Sequence, residues 1–266
     1  MTYDAPELNI SIRDFVATVE INRPPHNFFD FALIHQIANT YEAMDKDPAV
    51  RAILLCSNGK SFCAGANFGD GSQVQADGSV EGSVNKIGID HLYVEAVRVF
   101  AAETPVVAAV QGAAIGGGLG LAMSADFRVG CPESRFAANF TRLGFHPGFG
   151  LTHTLPRAIG HQKAAMMFLT SRRIRGDEAL ELGVLDQMAT LDTVRDTAWE
   201  FAREIAINSP LGVVSTRKTL RAGLAEAVKS QTDHELIEQT WLRQTDDFRE
   251  GVAATHDRRL PDWAGK

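Results

Sequence analysis

The feature that most constrains this chain is a run of three glycines, Gly116, Gly117 and Gly118, shortly after an uncharged apolar segment at residues 105–110. The apolar segment predicts a buried strand, and the residues after the glycines predict a helix. Glycine lets a ligand approach the backbone closely, and the first N–H groups of a helix have no partner within the helix. The pattern predicts either a site for an oxyanion or a tight turn that serves packing alone.

A second loop of small residues bears on that choice. The sequence AILLC at residues 52–56 predicts another buried strand, which leads into SNGKSFCAGANF at residues 57–68. Both loops follow buried strands and both are rich in small residues, so we expect them to converge on one site.

The rest of the chain alternates strand and helix patterns and predicts an α/β fold. Apolar residues alternate at 8–12 and 16–22, which predicts an antiparallel hairpin, and Asp30 is the expected N-cap of a first helix. The remaining predictions are helices at 89–102 and from the glycine turn, strands at 127–129 and 184–188, and helices at 194–207, 211–229 and 233–248. A polar stretch at 69–85 predicts a mobile loop of the kind that often covers a ligand site.

The change to helices alone near residues 208–210 predicts a boundary between an α/β core, residues 1–208, and a helical region, residues 209–266. With 266 residues, of which 45% are hydrophobic, the chain is long enough to bury a substantial core.

Charge and motifs exclude several classes of protein. A formal net charge of −7 argues against a nucleic-acid surface. Residues 104–125 are uncharged, but their early proline, glutamine and glycines fit a strand, a turn and a helix better than a membrane span. Dinucleotide, P-loop and GxSxG motifs are missing, and HExxE at 234–238 lacks the second histidine of a zinc protease. We expect no metal, no membrane segment and, from three scattered cysteines and an N-terminus without a secretion signal, a cytoplasmic protein.

Taken together, these motifs resemble the crotonase family, also called the enoyl-CoA hydratase/isomerase superfamily. The resemblance is carried by SFCAGANF at 61–68, AAVQGAAIGGGLGLAMSADFRVG at 108–130, residues 136–160, SRRIRGDEA at 171–179, GVLD at 183–186 and FREGVAA at 248–254. It implies a spiral core of ββα units with a C-terminal helical region that mediates assembly into a homotrimer or hexamer.

Enzymes of that family bind acyl-CoA thioesters and hold the thioester oxygen between two backbone N–H groups. Matched by motif, these belong to Ala66 and Gly117. Fixed backbone dipoles of this kind stabilise a developing oxyanion by roughly 3 to 4 kcal/mol per donor. The resemblance implies no cofactor, because coenzyme A is part of the substrate.

The resemblance also implies two glutamates for proton transfer in the hydratases, and both are missing. Gly120 and Phe140 stand at the matching positions. Hydration by two glutamates is therefore not expected. His146, in a loop with Pro147 and Gly148, is a candidate for proton transfer, or it only supports its loop. Further candidates at the start of the predicted helix 89–102, which are otherwise capping or solvated residues, are Asp90, His91 and Glu95.

Coenzyme A contacts are implied around four matching residues, which are His26, Asn27, Ala64 and Gly65. Arg23 and Lys60 are candidates for its phosphates, or ordinary surface charges, and the basic run at 172–175 predicts a solvated face. We therefore expect an acyl-CoA-processing enzyme with a non-standard proton-transfer group. Two alternatives stay open, a catalytically silent acyl-CoA-binding protein and a hydrolase that activates water at His146.

Overall fold

The computed structural model describes residues 3–67 and 91–266. Its strands are β1 (Leu8–Arg13), β2 (Val16–Ile21), β3 (Ala52–Ser57), β4 (Ser61–Cys63), β5 (Val106–Val110), β6 (Ala113–Ile115), β7 (Phe127–Gly130), β8 (Arg135–Ala137), β9 (Ile174–Arg175) and β10 (Gln187–Met188). Its helices are α1 (Phe31–Met44), α2 (Leu92–Ala101), α3 (Gly117–Ser124), α4 (Leu151–Ile159), α5 (His161–Thr170), α6 (Gly176–Leu182), α7 (Val194–Ala206), α8 (Pro210–Leu220), α9 (Leu224–Leu242) and α10 (Asp246–Asp257), with a 3-10 turn at Thr141–Leu143. The loop predicted at 69–85 lies outside the described residues.

Successive ββα units place their two strands in different sheets. The first strands, β3, β5 and β7, lie parallel in a larger sheet of order β1-β2-β3-β5-β7-β10. The second strands, β4, β6 and β8, lie parallel in a smaller sheet of order β4-β6-β8-β9. Each unit is therefore displaced by one strand from the unit before it, and the predicted α/β spiral is confirmed.

The larger sheet is covered on both faces, which explains the continuous apolar runs in β3 and β5. One face joins the main core, and α7 covers the other face with Ala198, Ala202 and Ala206. At the edge of this sheet the predicted hairpin is confirmed, since β1 pairs antiparallel with β2. Asp30 caps α1 as predicted, because its carboxylate accepts a hydrogen bond from Leu33 N at 3.0 Å.

The C-terminal part contains four helices where three were predicted. Gly223, with φ of 77°, separates α8 from α9, and this left-handed conformation is one that glycine adopts at helix ends. Helix α9 then runs straight through residues 229–233, where a break was predicted. A new helix, α10, begins after Thr245, whose side chain accepts a hydrogen bond from Phe248 N at 3.1 Å.

Helices α8 to α10 pack against the core. Arg217 of α8 and Arg221, which follows the last residue of α8, bind Asp126, which precedes β7. The ring of Phe248 in α10 meets that of Phe145 at 5.5 Å. A role of residues 209–266 in oligomer assembly stays a prediction. Throughout residues 3–67 and 91–266, no helix combines the length and apolar composition needed to cross a membrane.

Candidate active site

The two small-residue loops meet where β6 becomes α3. Gly116 has φ of 55°, in the left-handed region, and turns the chain into the helix. An ideal Cβ on Gly65 would lie 3.7 Å from Gly117 N, so the loop after β4 lies beside the first turn of α3. Ala66 and Gly117 line one cavity of about 690 Å³. Within the described residues, neither N–H donates a hydrogen bond to a protein acceptor.

Packing also requires glycine in this turn. A Cβ on Gly117 would lie 1.9 Å from Cζ of Phe29, and one on Gly118 would lie 2.0 Å from the carbonyl oxygen of Cys63. Phe29 N in turn donates to the carbonyl oxygen of Gly65 at 3.1 Å. The same glycines therefore serve close packing. Gly116 N donates to the carbonyl oxygen of Ala137 at 2.8 Å, whereas Gly117 N has no protein acceptor within the described chain.

Aromatic rings form the apolar wall of the cavity. Phe29 and Phe149 lie 5.7 Å apart between ring centroids, and Phe140 and Phe145 lie 5.5 Å apart. Aromatic rings bury large apolar areas in such contacts. The wall is suited to the hydrocarbon part of a ligand.

Neither position that matches a hydratase glutamate presents a carboxylate to this cavity. Gly120 is buried and does not line the cavity, and an ideal Cβ there would lie 2.8 Å from Cβ of Phe149. Phe149 therefore occupies the space into which a side chain at 120 would project. The Phe140 ring does line the cavity, and no aspartate or glutamate is among the lining residues of the described chain.

A cluster of polar side chains that sequence reasoning missed also lines the cavity. Tyr93 Oη donates to Gln239 Oε1 at 2.9 Å, and Arg243 Nη2 donates to the same oxygen at 3.2 Å. Burial raises the pKa of Tyr93 above its ordinary value and lowers that of Arg243. The available signal was the spacing of Glu235, Gln239 and Arg243 by four residues, which places polar side chains on one face of α9. That spacing alone is equally typical of a solvated face.

Exposed cations lie at the mouth of the cavity. Arg172, Arg173 and Arg175 are exposed, as predicted. Arg173 and Arg175 also line the cavity, whereas Arg172 forms an ion pair with Glu178. Arg135 and Arg258 also line the cavity, and none of these four lining residues, Arg135, Arg173, Arg175 and Arg258, forms an ion pair within the described chain. Arg173, Arg175 and Arg258 are exposed and can meet an anionic ligand, whereas Arg135 is half-buried and donates hydrogen bonds to the carbonyl oxygens of Pro132 and Ser134.

Three of the residues predicted to contact coenzyme A line the cavity, namely His26, Ala64 and Gly65. The carbonyl oxygen of His26 accepts a hydrogen bond from Ala64 N at 3.0 Å. This contact holds the two segments side by side.

The other three residues predicted for coenzyme A, Arg23, Asn27 and Lys60, do not line the cavity. Asn27 is fully buried and donates to the carbonyl oxygens of Asn58 and Ser61 at 2.7 and 2.8 Å. Arg23 forms ion pairs with Glu7 and Asp30, and Lys60 is exposed. Asn27 therefore holds the turn between β3 and β4, and Arg23 holds the segment before α1, because their polar groups are used within the protein.

His146 also lies outside the cavity lining. Its Nδ1 is 2.8 Å from the carbonyl oxygen of Pro147, and its ring meets that of His234 in α9 at 5.9 Å. Of the two roles left open for His146, these contacts favour support of its loop, because they direct the ring to α9.

The remaining candidates have structural roles. His91 is the N-cap of α2, and its Nδ1 accepts a hydrogen bond from Tyr93 N at 3.0 Å. Glu95 forms ion pairs with Arg98 and His35, and neither residue lines the cavity. Asp90 lies outside the described residues.

Comparison with known proteins agrees with this architecture. The family described as enoyl-CoA hydratase/isomerase matches residues 11–266. The chain is 29% identical over 253 residues to 1,2-epoxyphenylacetyl-CoA isomerase of Escherichia coli, which covers 94% of this chain and 95% of the relative. It is 34% identical over 211 residues to short-chain-enoyl-CoA hydratase of Clostridium acetobutylicum, which covers 79% of this chain and 78% of the relative.

The fold also matches a solved structure along the whole chain. The enoyl-CoA hydratase/isomerase of Pseudoalteromonas atlantica superposes with a TM-score of 0.85 at 28% identity and covers 97% of this chain and 100% of that one. The ββα spiral, the glycine turn beside an aromatic cavity and a family match over nearly every residue lead to one assignment. This chain belongs to the enoyl-CoA hydratase/isomerase family, the crotonases.

Proposed function

We propose that this protein processes an acyl-CoA thioester and stabilises an enolate or oxyanion on the thioester oxygen between the N–H groups of Ala66 and Gly117. The observation that carries the proposal is that both residues line one cavity and neither N–H has a protein acceptor in the described chain. Gly117 also begins α3, so the positive end of the helix dipole adds to the stabilisation.

The rest of the cavity supports the same class of substrate. The apolar wall of Phe29, Phe140 and Phe149 accommodates the acyl group, and the cations at the mouth, such as Arg173 and Arg175, bind the coenzyme A phosphates. Coenzyme A arrives with the substrate, so we propose no separate cofactor. We further propose that the enzyme acts in the cytoplasm.

Hydration by two glutamates is not the reaction that we propose. The lining contributed by the described residues has no carboxylate, and a positioned general acid or base contributes about 10² to 10⁴-fold to rate. We therefore expect crotonyl-CoA to be hydrated about 10² to 10⁴-fold more slowly than by a hydratase with both glutamates. The same observation favours a second candidate, a protein that binds acyl-CoA without turning it over.

The experiment is a panel of saturated, unsaturated and aromatic CoA thioesters, with turnover followed by mass spectrometry and binding by calorimetry. Turnover of any thioester supports the enzyme, and binding without turnover across the panel supports the silent binding protein. The hydrolase alternative predicts free coenzyme A as a product.

The oxyanion site is tested by Ala66→Pro, which removes one N–H, against Ala66→Ser, which keeps it. We expect Ala66→Pro to lower kcat/KM by about 10² to 10³-fold. Ala66→Ser is expected to stay near the wild-type value. A substitution at Gly117 is less informative, because any side chain there meets Phe29. Equal activity of the two variants would show that Ala66 does not hold the oxyanion.

A further inference from the structure

The cavity has one polar region that the proposed oxyanion site does not use. Tyr93 of α2, and Gln239 and Arg243 at the end of α9, form it through the hydrogen bonds to Gln239 Oε1. Gln239 Nε2 also donates to the carbonyl oxygen of His146 at 2.8 Å. The amide is thereby held in one orientation. We call Tyr93, Gln239 and Arg243 the polar end of the cavity.

Arg243 differs from the other deeply buried arginines of the described chain. Arg128 is 6% exposed and pairs with Asp186 at 2.8 Å, and Arg217 is 9% exposed and pairs with Asp126 at 2.8 Å. Arg243 is 7% exposed, yet no carboxylate of the described residues forms an ion pair with it.

The contacts of Arg243 do not compensate its charge. Its Nε is buried without a hydrogen bond, and its remaining contacts are the neutral oxygen of Gln239 and the face of Phe145, 5.3 Å from the guanidinium. A buried cation is costly unless an anion compensates it. The cavity in front of Arg243 is therefore the place where a compensating anion fits.

The polar end is separated from the oxyanion turn by two aromatic rings. An ideal Cβ on Gly116 would lie 3.7 Å from Cζ of Phe140. The ring of Phe140 meets that of Phe145, and Phe145 faces Arg243. A group bound at Arg243 is therefore not the thioester itself. A group bound at Arg243 is separated from the thioester by the apolar length of ligand that runs along the rings of Phe140 and Phe145.

We propose that the natural acyl group carries a carboxylate remote from the thioester and that Arg243 binds this carboxylate. A guanidinium presents parallel N–H donors that match the two oxygens of a carboxylate. Gln239 positions the guanidinium through its Oε1 and is itself held by Tyr93. The inference rests on the proposed function, because it names the substrate class of the same cavity.

The test compares pairs of CoA thioesters of equal chain length that differ in one terminal group. Succinyl-, glutaryl-, adipyl- and suberyl-CoA are matched with butyryl-, pentanoyl-, hexanoyl- and octanoyl-CoA, and Kd is measured by calorimetry. At the chain length that fits, we expect the carboxylated thioester to bind about 10- to 100-fold more tightly, which is typical of hydrogen bonds to a charged group. Arg243→Met should abolish this preference, and Arg243→Lys should retain part of it.

Arg173→Met is the matched control, because it removes a guanidinium from the mouth of the cavity and should weaken both members of a pair alike. Thermal unfolding separates binding from a structural role, since a guanidinium without a carboxylate partner does not stabilise the fold and Arg243→Met should keep the wild-type Tm. Equal affinity for both members of every pair, or an unchanged preference in Arg243→Met, overturns this inference alone. Failure to bind any CoA thioester overturns both this inference and the proposed function.

Discussion

Gly120 shows how a single residue joins packing to chemistry. A side chain there would start 2.8 Å from Cβ of Phe149, closer than real Cβ contacts come. Phe149 in turn packs against Phe29 and Phe100. The position that the family resemblance assigns to a glutamate is thus filled by an aromatic ring from another loop.

The first prediction follows from this contact. We expect Gly120→Glu to lower the free energy of unfolding by about 1 to 3 kcal/mol, because it overpacks a filled core. In a protein that already carries Phe149→Ala, Gly120→Glu should lower the free energy of unfolding by less than it does in the wild type, because the smaller side chain leaves room. Gly212→Ala is the control, since a Cβ there meets Ser209 at an ordinary 3.5 Å. Chemical denaturation measures the free energy of unfolding of each variant. If Gly120→Glu alone is as stable as the wild type, the packing argument is wrong.

A second prediction at this scale concerns Glu235, a fully buried residue of α9. Its carboxylate accepts hydrogen bonds from Gly150 N at 2.8 Å and from Thr152. Burial raises its pKa to about 7 against the lowering effect of these hydrogen bonds. The folded protein holds this proton more tightly than the unfolded chain does. The contribution of protonated Glu235 to the free energy of unfolding is therefore fully present below the pKa of the unfolded chain, and it is lost as the pH rises through about 7.

The free energy of unfolding should therefore be higher at pH 5 than at pH 8 by up to roughly 3 kcal/mol from this group. Glu235→Gln cannot ionise and should remove that part of the pH dependence. Urea unfolding at both pH values measures the difference. If Glu235→Gln keeps the full pH dependence of the wild type, other groups cause the loss of stability between pH 5 and pH 8.

At the scale of elements, one carboxylate fixes α8 to the core. Asp126 accepts hydrogen bonds from Val106 N at 2.8 Å, from Arg217 Nε at 2.8 Å and from Arg221 Nη1 at 3.0 Å. The side chains of Asp126 and Arg217 are 14% and 10% exposed. The contact joins the helical region to the starts of β5 and β7, two inner strands of the larger sheet.

We expect Asp126→Ala to lower the free energy of unfolding by about 3 to 5 kcal/mol, because it leaves buried guanidinium groups without their anion. The control is Asp233→Ala, which breaks an ion pair with Lys229 whose side chains are more than 60% exposed and should cost less than about 1 kcal/mol. If both variants lose a similar free energy of unfolding, burial does not decide how much each ion pair contributes to stability.

For the whole molecule, the end of α7 and helix α8 present apolar side chains to solvent. Ile207, Leu211 and Leu220, at the end of α7 and on α8, are 70%, 83% and 70% exposed. Closed symmetric assemblies are the usual way in which copies of one chain cover exposed apolar side chains. That residues 209–266 mediate a homotrimer or a hexamer stays a prediction, and these exposed side chains are the residues at which it can be tested.

Light scattering after size exclusion should therefore give three or six times the chain mass of 28.9 kDa. Leu211→Glu combined with Leu220→Glu should reduce that mass to the monomer. Leu169→Glu, at a residue of α5 that is 78% exposed, should leave it unchanged. A monomeric wild-type protein would contradict the assembly, and dissociation by Leu169→Glu alone would move the interface to α5.

Local sequence patterns determined the frame of this protein. The hairpin, α1 with its Asp30 cap, the apolar strands and the glycine turn were all predicted, because periodicity, capping and glycine conformation act within a few residues along the chain. The convergence of the two small-residue loops was predicted from their positions after buried strands, and the family resemblance supplied the ββα spiral. The break at Gly223 was missed because Leu220, Leu224 and Val228, spaced by four residues, continue a helical pattern across it.

Only the tertiary structure decided what surrounds the glycine turn. Phe149 covers Gly120, His146 faces α9 instead of the cavity, and Asn27 holds neighbouring loops together. Arg243 lines the cavity together with Tyr93, 150 positions earlier in the chain. These facts depend on contacts between distant segments. A polar stripe on a helix or a histidine in a loop has the same local pattern whether it faces solvent or a cavity, so its surroundings become known only when the chain has folded.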